Sequence, residues 1–147
     1  MKNLKMLYAF ICDDVRHELG GKMTYVGQTE VLQVQKFPVI FPKICVVYSC
    51  MGEKGKYKVS SCVTEKESQS MVIQIPEHDI EIISLEQKIR EVIQIHNLKI
   101  EKPGNYLVEV FYNGELLTDF YFNVTLPALT TKNDNTFNIP IIMSSKN

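Results

Sequence analysis

The chain has 147 residues, the length of a single domain, and its 45% hydrophobic and 22% charged residues are close to globular averages. This composition argues against a disordered or fibrous chain. The formal net charge of -1 gives no overall attraction to nucleic acid or anionic lipid.

The N-terminal residues and the absence of a long apolar run favour a cytoplasmic location. No run approaches the roughly 18 apolar residues that a membrane helix needs. The apolar stretch Met6–Cys12 is followed directly by Asp13 and Asp14, where a signal peptide would have small residues for cleavage. We therefore expect a cytoplasmic protein whose mature N-terminus is Met1 or close to it, with no nucleic-acid or membrane partner.

The first two predicted strands, Leu4–Val15 and Lys22–Gly27, flank a turn at Gly20-Gly21. The polar stretch "CDDVRHELGGK" lies across this hairpin. Neighbouring residues of a strand point to opposite faces, so Asp13 and Asp14 are not expected to grip one metal ion or act as an acid/base pair. Asp14 and Arg16 share a face, and we predict that they form the structural pair that supports the turn. Asp14→Ala should then destabilise the fold and Asp13→Ala should be nearly neutral.

Two functional alternatives remain open for this stretch. It is a possible partner-binding patch, formed by Asp13, Asp14, Arg16 and Glu18. It is alternatively the acidic site of an enzyme, with His17 beside the same acids. A calcium site would need several carboxylates from two or more loops, and the more distant Asp79 and Asp119 have no second aspartate beside them.

The middle of the chain alternates with the period of β-strands. Lys56–Glu65 is the clearest case, because Tyr57, Val59, Ser61 and Val63 would share one face. Breaks are expected at Pro38, Pro42, Gly52–Gly55 and Pro76. The other strands predicted here are Thr29–Gln35, Lys43–Met51 and Ser70–Ile75.

The four cysteines, Cys12, Cys45, Cys50 and Cys62, lie in apolar or β-branched runs. A reduced thiol there behaves as a small hydrophobe, so we expect four buried, reduced cysteines. Cys45, Cys50, Cys62 and His78 would also make a zinc-binding set. Strand alternation, however, sends Cys45 and Cys50 to opposite faces, which disfavours zinc.

Residues 84–100 carry two conflicting patterns. Ser84–Gln87 is a capping-box sequence followed by apolar residues at helical spacing. The all-β context instead favours a strand, and we predict one over Lys88–Ile100. A short helix at Ser84–Glu91 is the alternative.

The last two predicted strands, Tyr106–Tyr112 and Leu116–Leu126, flank Asn113-Gly114. A two-residue type I′ loop would leave both faces of this ribbon mixed. We predict instead a three-residue bulged loop with Gly114 left-handed, since its register places the apolar residues on one face.

The residues after the predicted domain, 1–127, form a tail, 128–147. It begins as a polar linker and then offers the apolar stretch Phe137–Met143. We predict that this stretch docks as an edge strand on its own domain or on a second copy, because Pro140 suits an edge.

Three stretches together carry a family resemblance: "ICDDVRHELGGKMTYVG", "FPVIFPKICVVYSC" and "IEKPGNYLVEVFYNGELLTDFYFNV". They resemble a family of small bacterial proteins classed as a domain of unknown function, over most of residues 7–127. The resemblance implies a compact cytoplasmic β-sandwich in a bacterium and brings no activity, cofactor or catalytic residue.

About nine short strands without alternating helices predict a single antiparallel β-sandwich, Ig-like or C2-like. The function expected is a non-enzymatic protein-binding or accessory module, without cofactor or metal, whose partner is another protein or a second copy. The alternatives are an enzyme with an acidic site around Asp13 and Asp14, and a calcium- or lipid-binding C2-like domain.

Overall fold

The computed structural model describes residues 3–127 and 135–141. Over these residues the chain is all-β, with one 3-10 turn at Leu19–Gly21. The strands are β1 (Leu4–Cys12), β2 (Asp14–His17), β3 (Met23–Val26), β4 (Val31–Gln33), β5 (Val39–Gly52), β6 (Gly55–Glu65), β7 (Met71–Ile82), β8 (Ile89–Ile100), β9 (Gly104–Tyr112) and β10 (Glu115–Thr125).

Two sheets pack against each other as a β-sandwich, as predicted. One sheet has the order β1-β5-β8 and the other β4-β10-β9-β6-β7. Apolar side chains from both sheets meet between them, including Val46 of β5, Ile95 of β8, Val108 of β9 and Phe122 of β10. Each sheet therefore buries one face against the other, which is how a sandwich forms its core.

The sandwich is not wholly antiparallel. β4 runs parallel to β10, with Leu32 opposite Val124. The prediction of short strands also needs correction, since β5 alone has 14 residues. The sequence pattern did not reveal the parallel pair because β4 is too short to show any alternation.

The hairpin of β2 and β3 adds a third layer on the outer face of the three-stranded sheet. Val15 of β2 packs there with Cys12, Cys45 and Val47, all of which are buried. β5 is consequently covered on both faces. This explains why its middle reads as a continuous apolar run instead of alternating.

The loop at Asn113-Gly114 differs from the prediction. Tyr112 pairs with Glu115, so the loop has two residues, and both Asn113 (φ 46) and Gly114 (φ 80) are left-handed, as a type I′ turn requires. The register instead shifts between Leu116 and Thr118, inside β10. This shift restores the predicted apolar face from Phe120 onwards, but it leaves Leu116 exposed.

The segment with conflicting patterns, residues 84–100, is a turn followed by a strand, and the predicted break at Pro76 is absent. β8 confirms the strand predicted at Lys88–Ile100, and the capping-box residues Ser84–Gln87 form a turn. β7 continues through Pro76 to Ile82, contrary to the predicted break, and its register with β6 shifts between Val59 and Ser61. An edge strand with a bulge tolerates proline because no neighbour needs its missing N–H.

The predicted docking of the tail on its own domain is not observed over residues 135–141. They form no strand, and Phe137, Ile139 and Ile141 are exposed. Residues 128–134 and 142–147, including Met143, lie outside the described residues.

All four cysteines are free and buried, as predicted. Cys12 pairs with Cys45 across β1 and β5 under the β2–β3 hairpin, whereas Cys50 lies between the sheets beside Tyr48 and Tyr57. Burial raises the pKa of the Cys12 and Cys50 thiols to about 11. The reactive thiolate is therefore scarce at neutral pH.

We expect native protein to react slowly with a thiol reagent near pH 7 and all four cysteines to react after denaturation. Because the folded pKa of Cys12 lies above its ordinary value of 9.0, the stabilising effect of its neutral form is present below pH 9 and is lost as the pH rises towards 11. Mass spectrometry of labelled protein and denaturation curves across this pH range measure both effects. Rapid native labelling of three or more cysteines would contradict this placement.

Candidate functional site

The polar N-terminal stretch is anchored to the three-stranded sheet through aromatic contacts. The ring of Tyr25 on β3 meets the ring of Phe10 on β1 edge-on, with centroids 4.8 Å apart. Tyr8 also stacks on Phe10, and its hydroxyl lies 3.5 Å from that of Tyr25. Burial raises the pKa of Tyr25 to about 12, so its hydroxyl stays neutral at physiological pH. These contacts make the hairpin a structural cover.

Asp14 has a different partner from the one predicted. Its Oδ1 accepts a hydrogen bond from Nζ of Lys43 on β5, at 2.6 Å. This bond lowers the pKa of the Asp14 carboxyl and raises that of the Lys43 ammonium. The Arg16 guanidinium forms no hydrogen bond or ion pair with any described residue. Alternation identified the face that Asp14 and Arg16 share, but not the long-range partner.

The other predicted site residues lie near Asp14 along the hairpin. Asp13 occupies the bend between β1 and β2, and its carboxylate lies against Gly27. Glu18, just after β2, accepts a hydrogen bond from the Thr24 hydroxyl at 3.2 Å. The acids therefore have separate local contacts and do not converge on one point. Among residues 3–127 and 135–141, no group of three or more His, Cys, Asp or Glu residues could hold a metal ion.

A cleft of about 700 Å³ opens at a different place, where β1 passes β10. Tyr8–Ile11 of β1 form one wall, and Phe120 and Tyr121 of β10 form the other. Gln28–Val31, leading into β4, closes one end. Ala9, Ile11 and Phe120 belong to or pack against the core between the sheets, so they supply an apolar floor, whereas polar atoms make up slightly more than half of the exposed lining. Glu30 is the one charged residue among the described residues of its lining.

Two unpaired strand edges flank this cleft. β4 pairs only with Asn123–Thr125 of β10, which leaves Glu115–Phe122 without a neighbour on that side among the described residues. β1 likewise pairs with β5 on one side, and on the other side it forms only a single bridge, Ile11 to Thr29, with the part of the chain that the structure describes. Free N–H and C=O groups of strand edges are templates for a further strand. Sequence reasoning missed this site because edges depend on strand order, which alternation does not reveal.

Polar groups also lie inside the opposite, β7–β8 side of the sandwich. His78 Nε2 of β7 lies 3.4 Å from Glu91 Oε2 of β8. Tyr48, which is fully buried, lies opposite Glu91 in the strand register, and its hydroxyl has no hydrogen-bond partner among the described residues. Burial, followed by the Glu91 charge, raises the pKa of Tyr48. Tyr48 belongs to the core between the sheets together with Cys50 and Tyr57, so we assign this cluster to the core.

Replacing Asp14 tests the ion pair. Asp14→Asn should destabilise the protein near pH 7, and the effect should be small in a background that already carries Lys43→Met, because the pair is then broken. The Asp14 pKa is lowered in the folded state, so its stabilisation is present above pH 3.8 and is lost as the pH falls below that value.

Denaturation curves at several pH values measure this coupling. Arg16→Met is the matched control and should leave stability unchanged. If Arg16→Met were as destabilising as Asp14→Asn, the guanidinium would be the true partner.

Replacing Tyr48 tests the unpaired hydroxyl. Tyr48→Phe should leave the free energy of unfolding unchanged or raise it by about 1 kcal/mol. The substitution removes a buried hydroxyl that makes no hydrogen bond, so the folded state no longer bears the cost of desolvating it. Tyr57→Phe is the control, because the Tyr57 hydroxyl donates to the Glu53 carbonyl at 2.6 Å. That variant should lose about 1 kcal/mol. Chemical denaturation checks both, and equal losses would contradict the assignment.

Comparison with solved structures shows the fold. The chain is similar to the alkylpurine DNA glycosylase AlkC of Pseudomonas fluorescens bound to DNA containing an abasic site analogue, with 13% identity and a TM-score of 0.52. It is also similar to the β-glucosidase of Listeria innocua in complex with isofagomine, with 9% identity and a TM-score of 0.52. The matches cover 83% and 84% of this chain but only 30% and 16% of those proteins.

An immunoglobulin-like protein from Pseudomonas aeruginosa matches 83% of this chain and 96% of its own, with 13% identity and a TM-score of 0.42. No curated protein matches the sequence. Over the described residues, no helix is long and apolar enough to cross a membrane. The model of the Family of unknown function (DUF6941) matches residues 7–125. The chain therefore belongs to this family.

Proposed function

We propose that this chain is a non-enzymatic protein-binding or accessory module of the cytoplasm, and that the cleft between β1 and β10 is its binding surface. The observation that carries the proposal is the pair of unpaired strand edges beside an apolar floor. An extended segment of a partner protein would add to an edge through main-chain hydrogen bonds and place alternate side chains on the floor.

The chemistry of the cleft favours this type of ligand over others. The partly exposed Tyr8 and Tyr121 line it, and aromatic side chains are enriched where proteins bind each other. Of the described residues that line it, only Glu30 is charged, and Lys66 beside it lies over the Tyr121 ring, whereas nucleic acid would call for several lysine or arginine side chains. The similarity to a DNA glycosylase and a β-glucosidase concerns the fold alone, so we transfer neither activity to this chain.

The enzyme alternative around Asp13 and Asp14 has less support. The Asp14 carboxylate is held by Lys43 and that of Asp13 lies against Gly27, so neither is poised towards a shared cavity. The exposed Arg16 and its neighbours Asp13, Asp14 and Glu18 remain a second candidate surface for a partner. It lacks the open edges that favour the cleft.

Site-specific photo-crosslinking in cells separates these surfaces. A photoreactive phenylalanine analogue replaces Tyr8 or Tyr121 in the cleft, or Arg16 on the hairpin. Leu85, which is 64% exposed in the turn between β7 and β8, is the control position. We expect discrete protein adducts from Tyr8 and Tyr121 and none from Leu85.

Adducts from Arg16 alone would move the binding surface to the hairpin. Adducts of equal yield from all four positions would indicate random collision, and their absence at Tyr8 and Tyr121 would refute binding in the cleft. Identification of the adducts by mass spectrometry distinguishes a second copy from another protein.

A further inference from the structure

The segment 135–141 exposes apolar side chains that have no cover in the single chain. Phe137, Ile139 and Ile141 are 80%, 83% and 89% exposed. They alternate with Asn138 and Pro140, so in an extended conformation they would all face one way. Three large apolar residues on one side of a short segment are the pattern of a strand that lacks its sheet.

We propose that Phe137–Ile141 of one copy adds as a strand to the free edge of β10 in a second copy, and that two copies exchange these segments reciprocally in a closed dimer. This inference rests on the proposed function of the cleft and names its partner. Reciprocal exchange about a two-fold axis fills the clefts of both copies. No free cleft and no free segment then remain to bind a third copy.

β4 shows how a strand fits on this edge. Asn123 donates its N–H to the Glu30 carbonyl, and the N–H of Val34 donates to the Thr125 carbonyl, both at 2.8 Å. The Val34 side chain is buried between the sheets. β4 thus runs parallel to β10 with its inward-facing residues bonded to β10.

The tail segment fits the same arrangement ahead of β4. By alternation from Asn123, the peptide groups of Asp119 and Tyr121 point to the free edge. In a strand of L-residues, the residues whose side chains point to one face of the sheet all direct their N–H and C=O groups to the same neighbouring strand. Reversing the direction of the strand directs those groups to the other neighbour. A segment that turns Phe137, Ile139 and Ile141 towards the floor and also bonds through them must therefore run parallel to β10.

Pro140 agrees with this arrangement. The N–H and C=O groups of a residue in a strand point to the same neighbour, and those of the next residue point to the opposite side. If residues 137, 139 and 141 bond to β10, the position without an N–H lies on the other side, where no bond to β10 is lost. Thr118–Phe122, the part of the free edge beyond the register shift, is as long as Phe137–Ile141.

A second copy is a better source of the segment than the same chain. β10 ends at Thr125, so a parallel strand from its own chain would have to return to the beginning of β10 through residues 126–136. Parallel neighbours usually need a crossover of a dozen or more residues. In the single chain the segment is exposed and forms no strand. The proposal therefore assigns it to the partner copy.

Variants of the full chain test the exchange. Light scattering after size-exclusion chromatography at high micromolar concentration should give the mass of a dimer for the natural sequence. Ile139→Asp should be monomeric, because it places a charge on the apolar floor. Asn138→Asp, which adds the same charge one residue away on the outward side, should remain a dimer.

A variant of the receiving edge completes the design. Asp119→Pro removes an N–H that faces the added strand and no bond to β9, and it should also be monomeric, with its fold checked by circular dichroism. Mixing it with isotopically labelled Ile139→Asp should restore a heterodimer in native mass spectrometry, because one partner supplies an intact segment and the other an intact edge. If Asp119→Pro fails to fold, a synthetic peptide of residues 135–143 titrated into Ile139→Asp replaces the mixing test and should bind.

A monomeric natural protein, or equal dissociation by Ile139→Asp and Asn138→Asp, would overturn the exchange. So would failure of both the mixture and the peptide to bind. These results are distinguishable from failure of the proposed function. A monomer whose Tyr121 position still crosslinks to a different protein keeps the cleft as a binding surface and removes only the second copy as its partner.

Discussion

The covering of β5 on both faces is the constraint on which the rest of the structure depends. Its residues Ile44–Cys50 are all buried, alternately between the sheets and under the β2–β3 hairpin. A strand in an ordinary two-layer sandwich would expose every second residue. The continuous apolar run of β5 therefore requires a third layer, and the hairpin provides it. The acidic stretch is held against the sheet by Phe10, Tyr25 and the Asp14–Lys43 pair, which makes its first role structural.

The two open sides of the sandwich differ in how far their strand edges are protected from pairing. At the β7–β8 side, His78 and Glu91 interact across the gap between the sheets, and Pro76 and a register shift interrupt the β7 edge. Proline, bulges and charges are the usual means of preventing a strand edge from pairing. At the β1–β10 side, Thr118–Phe122 carries one charge, Asp119, and no proline. The two sides thus differ in the feature that decides whether a further strand can bind.

The sequence predicted correctly those features that depend on residues close together in the chain, namely strand faces and turns. Alternation placed Tyr57, Val59 and Val63 on the buried face of β6, and the turn residues marked the hairpins. It failed where distant residues decide. The loop at Asn113-Gly114 was misread because a register shift at Leu116–Thr118 produces the same apolar face as a longer loop. Lys43 as the partner of Asp14 and the cleft beside β10 both follow from strand order, which local patterns do not contain.

The position of β4 gives the cleft its significance. Had β4 begun earlier in the chain, parallel to β10, Glu115–Phe122 would be paired and the floor formed by Ala9, Ile11 and Phe120 would be covered. β4 begins only at Val31, and the bonds of Glu30 and Val34 to Asn123 and Thr125 fix only the last part of the edge. When a further strand binds to the unpaired edge of β10, each free peptide group there exchanges a hydrogen bond to water for one to the added strand. Apolar surface of the cleft is removed from water at the same time. The shortness of β4 is thus what converts an otherwise closed sandwich into one able to accept a strand from outside.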